Sequence, residues 1–266
     1  RVRSAIKIII SRVSMRSLAY SSLFGMGLLG QQSAAESMYN PQKSSVTTFN
    51  TKNFEKQVTL NREKGISVVQ YYKASEENST MDKGQFEKFG IEQKKMLRVG
   101  ALDCEEFASM CDKEGITEYP TYRVYPPFPV PPQDHKSGAT ELNTDVLKKM
   151  AYKHIGNRVI DITSQNHDVF KSDNPGKPKV LLFTDKAKTP IVYRALSTYF
   201  DKTLEFGLVK KEDEALVKKY KVSKFPHFLI LKPGEKLPIT YKGDDFSYSE
   251  LFEFINIYSE TFVFEQ

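Results

Sequence analysis

Tryptophan is absent from the 266 residues, and cysteine occurs only twice, at Cys104 and Cys111. The six residues between them rule out a C-x-x-C pair, the spacing that sets two thiols at a helix start for disulfide exchange. Histidine is as sparse. His135, His154, His167 and His227 are scattered, and no His, Cys or Asp group has the spacing of metal ligands. A glycine-rich phosphate loop and a nucleophile elbow are also missing, so neither a metal nor another cofactor is expected. The formal charge is +6, and much of it comes from Arg1, Arg3, Lys7, Arg12 and Arg16. The rest of the chain is close to neutral, which speaks against nucleic acid as a partner. The run Lys218-Lys219-Tyr220-Lys221 reads as a solvated helix end.

Acidic residues are missing altogether from residues 1–35, which are rich in Arg and Ser, a composition expected of a mitochondrial targeting sequence. From Ser17 to Ala35 there is no charge, and Leu18, Leu23, Phe24, Leu28 and Leu29 give the stretch nearly the length of a membrane span. Gly25 and Gly27 would let such a helix pack closely against a neighbour. Residues 1–40 are therefore expected to form a targeting or membrane-anchor segment. A secretory signal peptide ending near Ser33-Ala34-Ala35 is the competing reading.

The remainder has a repeating pattern. Val46–Phe49, Ile66–Tyr72, Leu97–Leu102 and Tyr122–Tyr125 read as strands. Helices are expected from Asn53 to Arg62, Gln85 to Lys95, Glu105 to Lys113 and Asp145 to Ile155. The pattern recurs with strands at Val159–Thr163, Lys179–Phe183, Leu204–Val209, Phe228–Leu231 and Ile239–Tyr241. Its helices begin near Ser164 or Asn166, Pro190, Asp213, and Ser247 or Ser249. Two motifs punctuate the repeat: Gly115-Ile116-Thr117-Glu118-Tyr119-Pro120-Thr121 and Lys221-Val222-Ser223-Lys224-Phe225-Pro226-His227. In each, an aromatic–Pro dipeptide stands directly before an apolar strand, a place where Pro is tolerated and a cis bond is a candidate.

These two turns, together with Leu102-Asp103-Cys104, Met110-Cys111 and Gly115-Ile116, resemble the tandem thioredoxin-like domains of the protein disulfide isomerase family. The resemblance implies an α/β fold with two such domains, at residues 46–156 and 158–264, and cis-proline turns at Pro120 and Pro226. The family's active site follows its buried strand. The matching segment here is Tyr71-Tyr72-Lys73-Ala74-Ser75-Glu76-Glu77-Asn78-Ser79, with Glu76 and Ser79 where the two cysteines would be. A carboxylate and a hydroxyl perform neither step of thiol–disulfide exchange. The second unit's counterpart, Phe183-Thr184-Asp185-Lys186-Ala187-Lys188-Thr189-Pro190, has no cysteine either, so no enzymatic activity is expected. What the resemblance leaves is the groove beside the cis-proline, which in the family contacts extended peptide backbone; His227 would face it in the second unit.

Cys104 ends a strand and Cys111 lies near the end of the next helix, so a structural disulfide is expected in an oxidising compartment, with two buried thiols as the alternative. Pro126, Pro127, Phe128, Pro129, Val130, Pro131 and Pro132 should form an extended, polyproline-like segment, either a stiff surface loop or a docking arm for a partner. Two functions fit. One is a redox-inactive accessory subunit of a larger membrane protein complex, anchored by its N-terminal segment, with the mitochondrial inner membrane as its place. The other is an endoplasmic-reticulum chaperone of the disulfide isomerase type, membrane-bound or lumenal, that binds peptides without exchanging disulfides.

Overall fold

The computed structural model describes residues 37–138 and 140–259. Leu18, Leu23, Phe24, Gly25, Gly27, Leu28 and Leu29 lie outside them, and with them the whole expected anchor segment. Among the described residues, no helix is long and apolar enough to cross a membrane.

The first half of the described chain runs β1 (Thr47–Phe49), β2 (Ser67–Tyr72), α1 (Glu77–Met81), α2 (Lys83–Glu92), β3 (Arg98–Asp103), α3 (Ala108–Lys113), β4 (Thr121–Tyr125), β5 (Gln133–Lys136) and α4 (Thr144–Tyr152). The second runs β6 (Val159–Ile162), α5 (His167–Ser172), β7 (Lys179–Thr184), α6 (Ile191–Tyr199), β8 (Glu205–Lys210), α7 (Glu214–Lys219), β9 (His227–Leu231), β10 (Ile239–Thr240) and α8 (Tyr248–Asn256). Each half carries one five-stranded sheet, in the orders β1-β3-β2-β4-β5 and β6-β8-β7-β9-β10. The first three strands of each order are parallel, and the fourth, β4 or β9, runs antiparallel to both its neighbours. The two sheets therefore repeat one topology.

The central strands β2 and β7 are buried along their whole length, which is why they read as unbroken apolar and aromatic runs rather than alternating ones. Alternate residues of β2 serve two separate cores. Val68 and Tyr72 pack with Phe86, Phe89, Leu147 and Ala151 of α2 and α4. Val69 and Tyr71 pack on the other face with Phe49, Phe54, Cys104 and Cys111. Equivalent points of the neighbouring strands are glycine in both halves. A Cβ on Gly100 would lie 2.3 Å from the Phe49 ring, and one on Gly207 would lie 2.6 Å from the Ile162 side chain. Met96 packs against the cores of both halves, and the Ser249 hydroxyl donates to the Lys94 carbonyl at 3.2 Å.

Four local expectations change. The helix expected from Asn53 to Arg62 is instead a short π-helical turn (Glu55–Thr59) and a 3-10 turn (Arg62–Lys64). Asn53 caps no helix; its amide oxygen accepts from Asn50 N–H and its amide nitrogen donates to the Thr48 carbonyl. The helix α3 starts at Ala108 rather than Glu105, because the Asp103 carboxylate accepts Glu105 N–H at 2.9 Å and holds a turn there. The helix expected from Gln85 starts at Lys83 and is preceded by the separate α1. The fourth change is the Pro-rich segment.

Residues 126–132 are not an extended arm. They are the loop of a hairpin joining β4 to β5, a strand the sequence did not suggest. Val130 N–H donates to the Pro127 carbonyl at 3.1 Å, closing a turn around the cis Phe128–Pro129 bond. Arg62 reaches up from its turn and clamps the loop: Nε donates to the Pro126 carbonyl at 2.7 Å, the terminal nitrogen donates to the Val130 carbonyl, and the guanidinium carbon stands 4.2 Å from the centre of the Phe128 ring.

Candidate functional site

The site lies where the parallel strand β2 ends and the chain turns into α1. Glu76 takes the N-cap position and Ser79 falls in the first turn. Glu76 is exposed, whereas Ser79 is fully buried and its hydroxyl has no hydrogen-bond partner. That is the arrangement of one accessible and one sheltered group at a helix start, with oxygen in both places.

The loop before α1 is fastened from both sides. Ser75 donates through its N–H and its hydroxyl to the Glu105 carboxylate, at 3.1 Å for the N–H. Those bonds favour the charged form of Glu105 and hold its carboxyl below the usual carboxylate range. Lys73 places its ammonium 4.5 Å from the centre of the Tyr119 ring. Burial pushes the Tyr119 hydroxyl up, with smaller contributions from Asp112 and Glu76. The Tyr119–Pro120 bond is cis, Pro120 is buried, and β4 begins at the next residue. The pairing of β2 with β4 sets Tyr71 opposite Thr121, so the turn carrying Glu76 and the cis-proline turn stand at the same end of the sheet.

Cys104 and Cys111 are joined by a disulfide with Cα atoms 5.9 Å apart, and both are buried in the aromatic core against which Tyr119 also packs. No thiol is free.

Within the core of the first half, a polar chain links four side chains. The Tyr39 hydroxyl donates to the Gln70 side chain, whose Nε2 donates to the Tyr122 oxygen at 3.1 Å, and the Tyr122 hydroxyl donates to Asp82 at 2.8 Å. Asp82 also accepts from the Ser137 hydroxyl and from Leu142 N–H. Every group is thereby satisfied without a counter-cation, and burial raises both tyrosines far above their ordinary values. Sequence reasoning missed this network, because partners so far apart in the chain leave no local pattern.

The second half differs at the matching point. Its segment after β7 is closed by Lys210, whose ammonium donates to the carbonyls of Lys186 and Ala187 at 2.8 Å each. Phe225–Pro226 is cis, but the His227 ring packs edge-on against Phe183 at 6.2 Å, and burial lowers its pKa. Among the described residues, no group of His, Cys, Asp and Glu could hold a metal.

Comparison with known proteins bears on the fold. Residues 161–257 match the family described as the second thioredoxin-like domain of DJC16. A putative protein disulfide-isomerase of Dictyostelium discoideum is 26% identical over 224 residues, covering 82% of this chain and 53% of that protein. Protein disulfide isomerase-like 2-1 of Oryza sativa subsp. japonica is 24% identical, covering 73% of this chain and 57% of that one. Among solved structures, full-length ERdj5 superposes with a TM-score of 0.53 at 16% identity, over 81% of this chain and 32% of its own. The chain spans about half the length of the curated relatives it matches. The fold is thioredoxin-like, and the chain is similar to proteins of the disulfide isomerase type.

Proposed function

We propose that this chain is a redox-inactive thioredoxin-like module that binds extended polypeptide in the groove beside Pro120 and exchanges no disulfides. One observation carries the reading. The helix start that would present two thiols presents Glu76 and Ser79, while the chain's two cysteines are bonded to each other in the core. Exchange needs a thiolate, and none is available. The loop beside the proposed groove is held by the Ser75–Glu105 and Lys73–Tyr119 contacts.

A disulfide belongs to an oxidising compartment. The names of the relatives, disulfide isomerases and ERdj5, favour the lumen of the endoplasmic reticulum over the mitochondrial inner membrane. The accessory-subunit reading rests on the lost cysteines, the Pro-rich segment and residues 1–35; the lost cysteines fit both readings, residues 1–35 lie outside the described residues, and the relatives' names add nothing to it.

The test is binding of a fluorescent, cysteine-free unfolded polypeptide, followed by anisotropy. Glu76→Trp, which fills the groove mouth from an exposed position, should abolish binding without changing the melting temperature. Undiminished binding by that variant, or no binding by the native chain, would contradict the proposal.

A further inference from the structure

The two halves diverge under the hairpin that follows their fourth strands in sheet order. In the first half, Arg62 and Phe128 occupy that notch. Strand register equates Ser67 with Lys179 and Tyr125 with Leu231. At the same offset, the counterpart of Arg62 is Asn174, whose amide turns instead to Glu205. The second notch is therefore open, with a volume of about 610 Å³.

Its walls are rich in lysine. Lys171 comes from α5, Lys219 and Lys221 from the end of α7, and Lys232 and Lys236 from the β9–β10 hairpin. Lys177 and Lys179 close the side toward β7, and Glu235 is the sole carboxylate among the lining residues. Lys179 is structural: its buried ammonium donates to the carbonyls of Asp173 and Asn174 and pairs with Glu205. Lys219 lies 3.5 Å from Asp168, and Lys232 lies 2.7 Å from Glu235. Lys171, Lys221 and Lys236 form no ion pair among the described residues.

A solvated helix end accounts for Lys218 and Lys219, which complement the last carbonyls of α7. It does not account for Lys221. That residue follows the C-cap Tyr220 in a left-handed conformation, φ 54°. Helices usually place glycine there, and the first half does so with Gly115 at φ 71°. A side chain is disfavoured in that conformation, and here it adds a cation to the rim of the notch.

We propose that this notch binds a compact anion carrying clustered phosphate groups. Lysines are flexible point charges with three donors each, suited to phosphate oxygens in varied geometry, and a concave wall of one sign concentrates the field. The boundary of α5, α7 and one hairpin suits a compact ligand better than an extended acidic chain.

The test is calorimetric titration of the full chain with sodium tripolyphosphate at low salt, alongside flotation with phosphatidylcholine vesicles with and without phosphatidylinositol bisphosphate. Lys221→Gly suits the backbone it replaces, and Lys236→Gln sits on an exposed hairpin, so the double variant should melt no lower than the native chain. It should bind about tenfold more weakly, and native binding should weaken as salt is added. Binding to tripolyphosphate alone assigns a soluble ligand, and binding to the phosphoinositide vesicles assigns a lipid headgroup. Absence of binding to both probes, equal binding by the double variant, or tighter binding of polyglutamate than of either probe would overturn the proposal.

Discussion

Replacing Arg62 with alanine should loosen the Pro-rich hairpin and lower global stability by about 3 kcal/mol. Arg62 is only 8% exposed and makes two charge-assisted bonds, to the carbonyls of Pro126 and Val130, besides stacking over Phe128. Bonds of that kind contribute about 1.5–3 kcal/mol each, and a partly exposed cation–π contact adds about 0.5–1 kcal/mol. Against this stand the release of the buried guanidinium and of its side-chain entropy, roughly 2 kcal/mol, and the return of water to two loop carbonyls. The net comes to about 3 kcal/mol, measured by urea unfolding. Arg62→Lys should recover roughly half, since an ammonium reaches the loop as one point charge rather than a planar fork. Limited proteolysis should show new cleavage between residues 126 and 132 in the alanine variant. A loss below about 1 kcal/mol, with unchanged cleavage, would mean that the hairpin holds itself and that Arg62 is incidental.

Breaking the disulfide with Cys104→Ser and Cys111→Ser should cost about 2 kcal/mol, from a loop closed at a sequence separation of 7; equal urea midpoints for native and variant chains under non-reducing conditions would refute this. Ser79→Ala should be neutral or stabilising by up to about 1 kcal/mol, because the buried hydroxyl it removes has no partner; a clear loss of stability would reveal a bond the geometry does not show. All four histidines have pKa values lowered by burial. The unfolded chain therefore binds more protons below its unfolded value near 6.5, and stability should fall as pH drops through that value toward the lower folded ones. A melting temperature that rises between pH 7.5 and 5.5 would contradict the sign of those shifts.

The central strands were legible because burial on both faces writes itself as β-branched and aromatic runs, as in Ser67–Tyr72 and Lys179–Thr184. The aromatic–Pro turns were legible because few places tolerate a proline directly before a strand. The helix over 53–62 was misread because its apolar residues, Phe54 and Val58, satisfy a helical spacing that a single π turn also satisfies. The Pro-rich segment was misread for a different reason. Composition favours polyproline, but one arginine from a distant turn folds the segment back, and nothing local announces that contact. The absence of exchange thiols could be read residue by residue. The lysine notch could not, since its cations come from four separate segments and converge only through the β7–β9 pairing.

The central claim, a thioredoxin-like groove without redox chemistry, is tested most directly by insulin reduction under dithiothreitol. The native chain should show no rate above background. Glu76→Cys with Ser79→Cys, which puts thiols at the N-cap and first turn of α1, should raise the rate measurably above that of the native chain. Reduction by the native chain that persists after Cys104→Ser and Cys111→Ser would contradict the claim, as would a double-cysteine variant that folds normally yet stays inert.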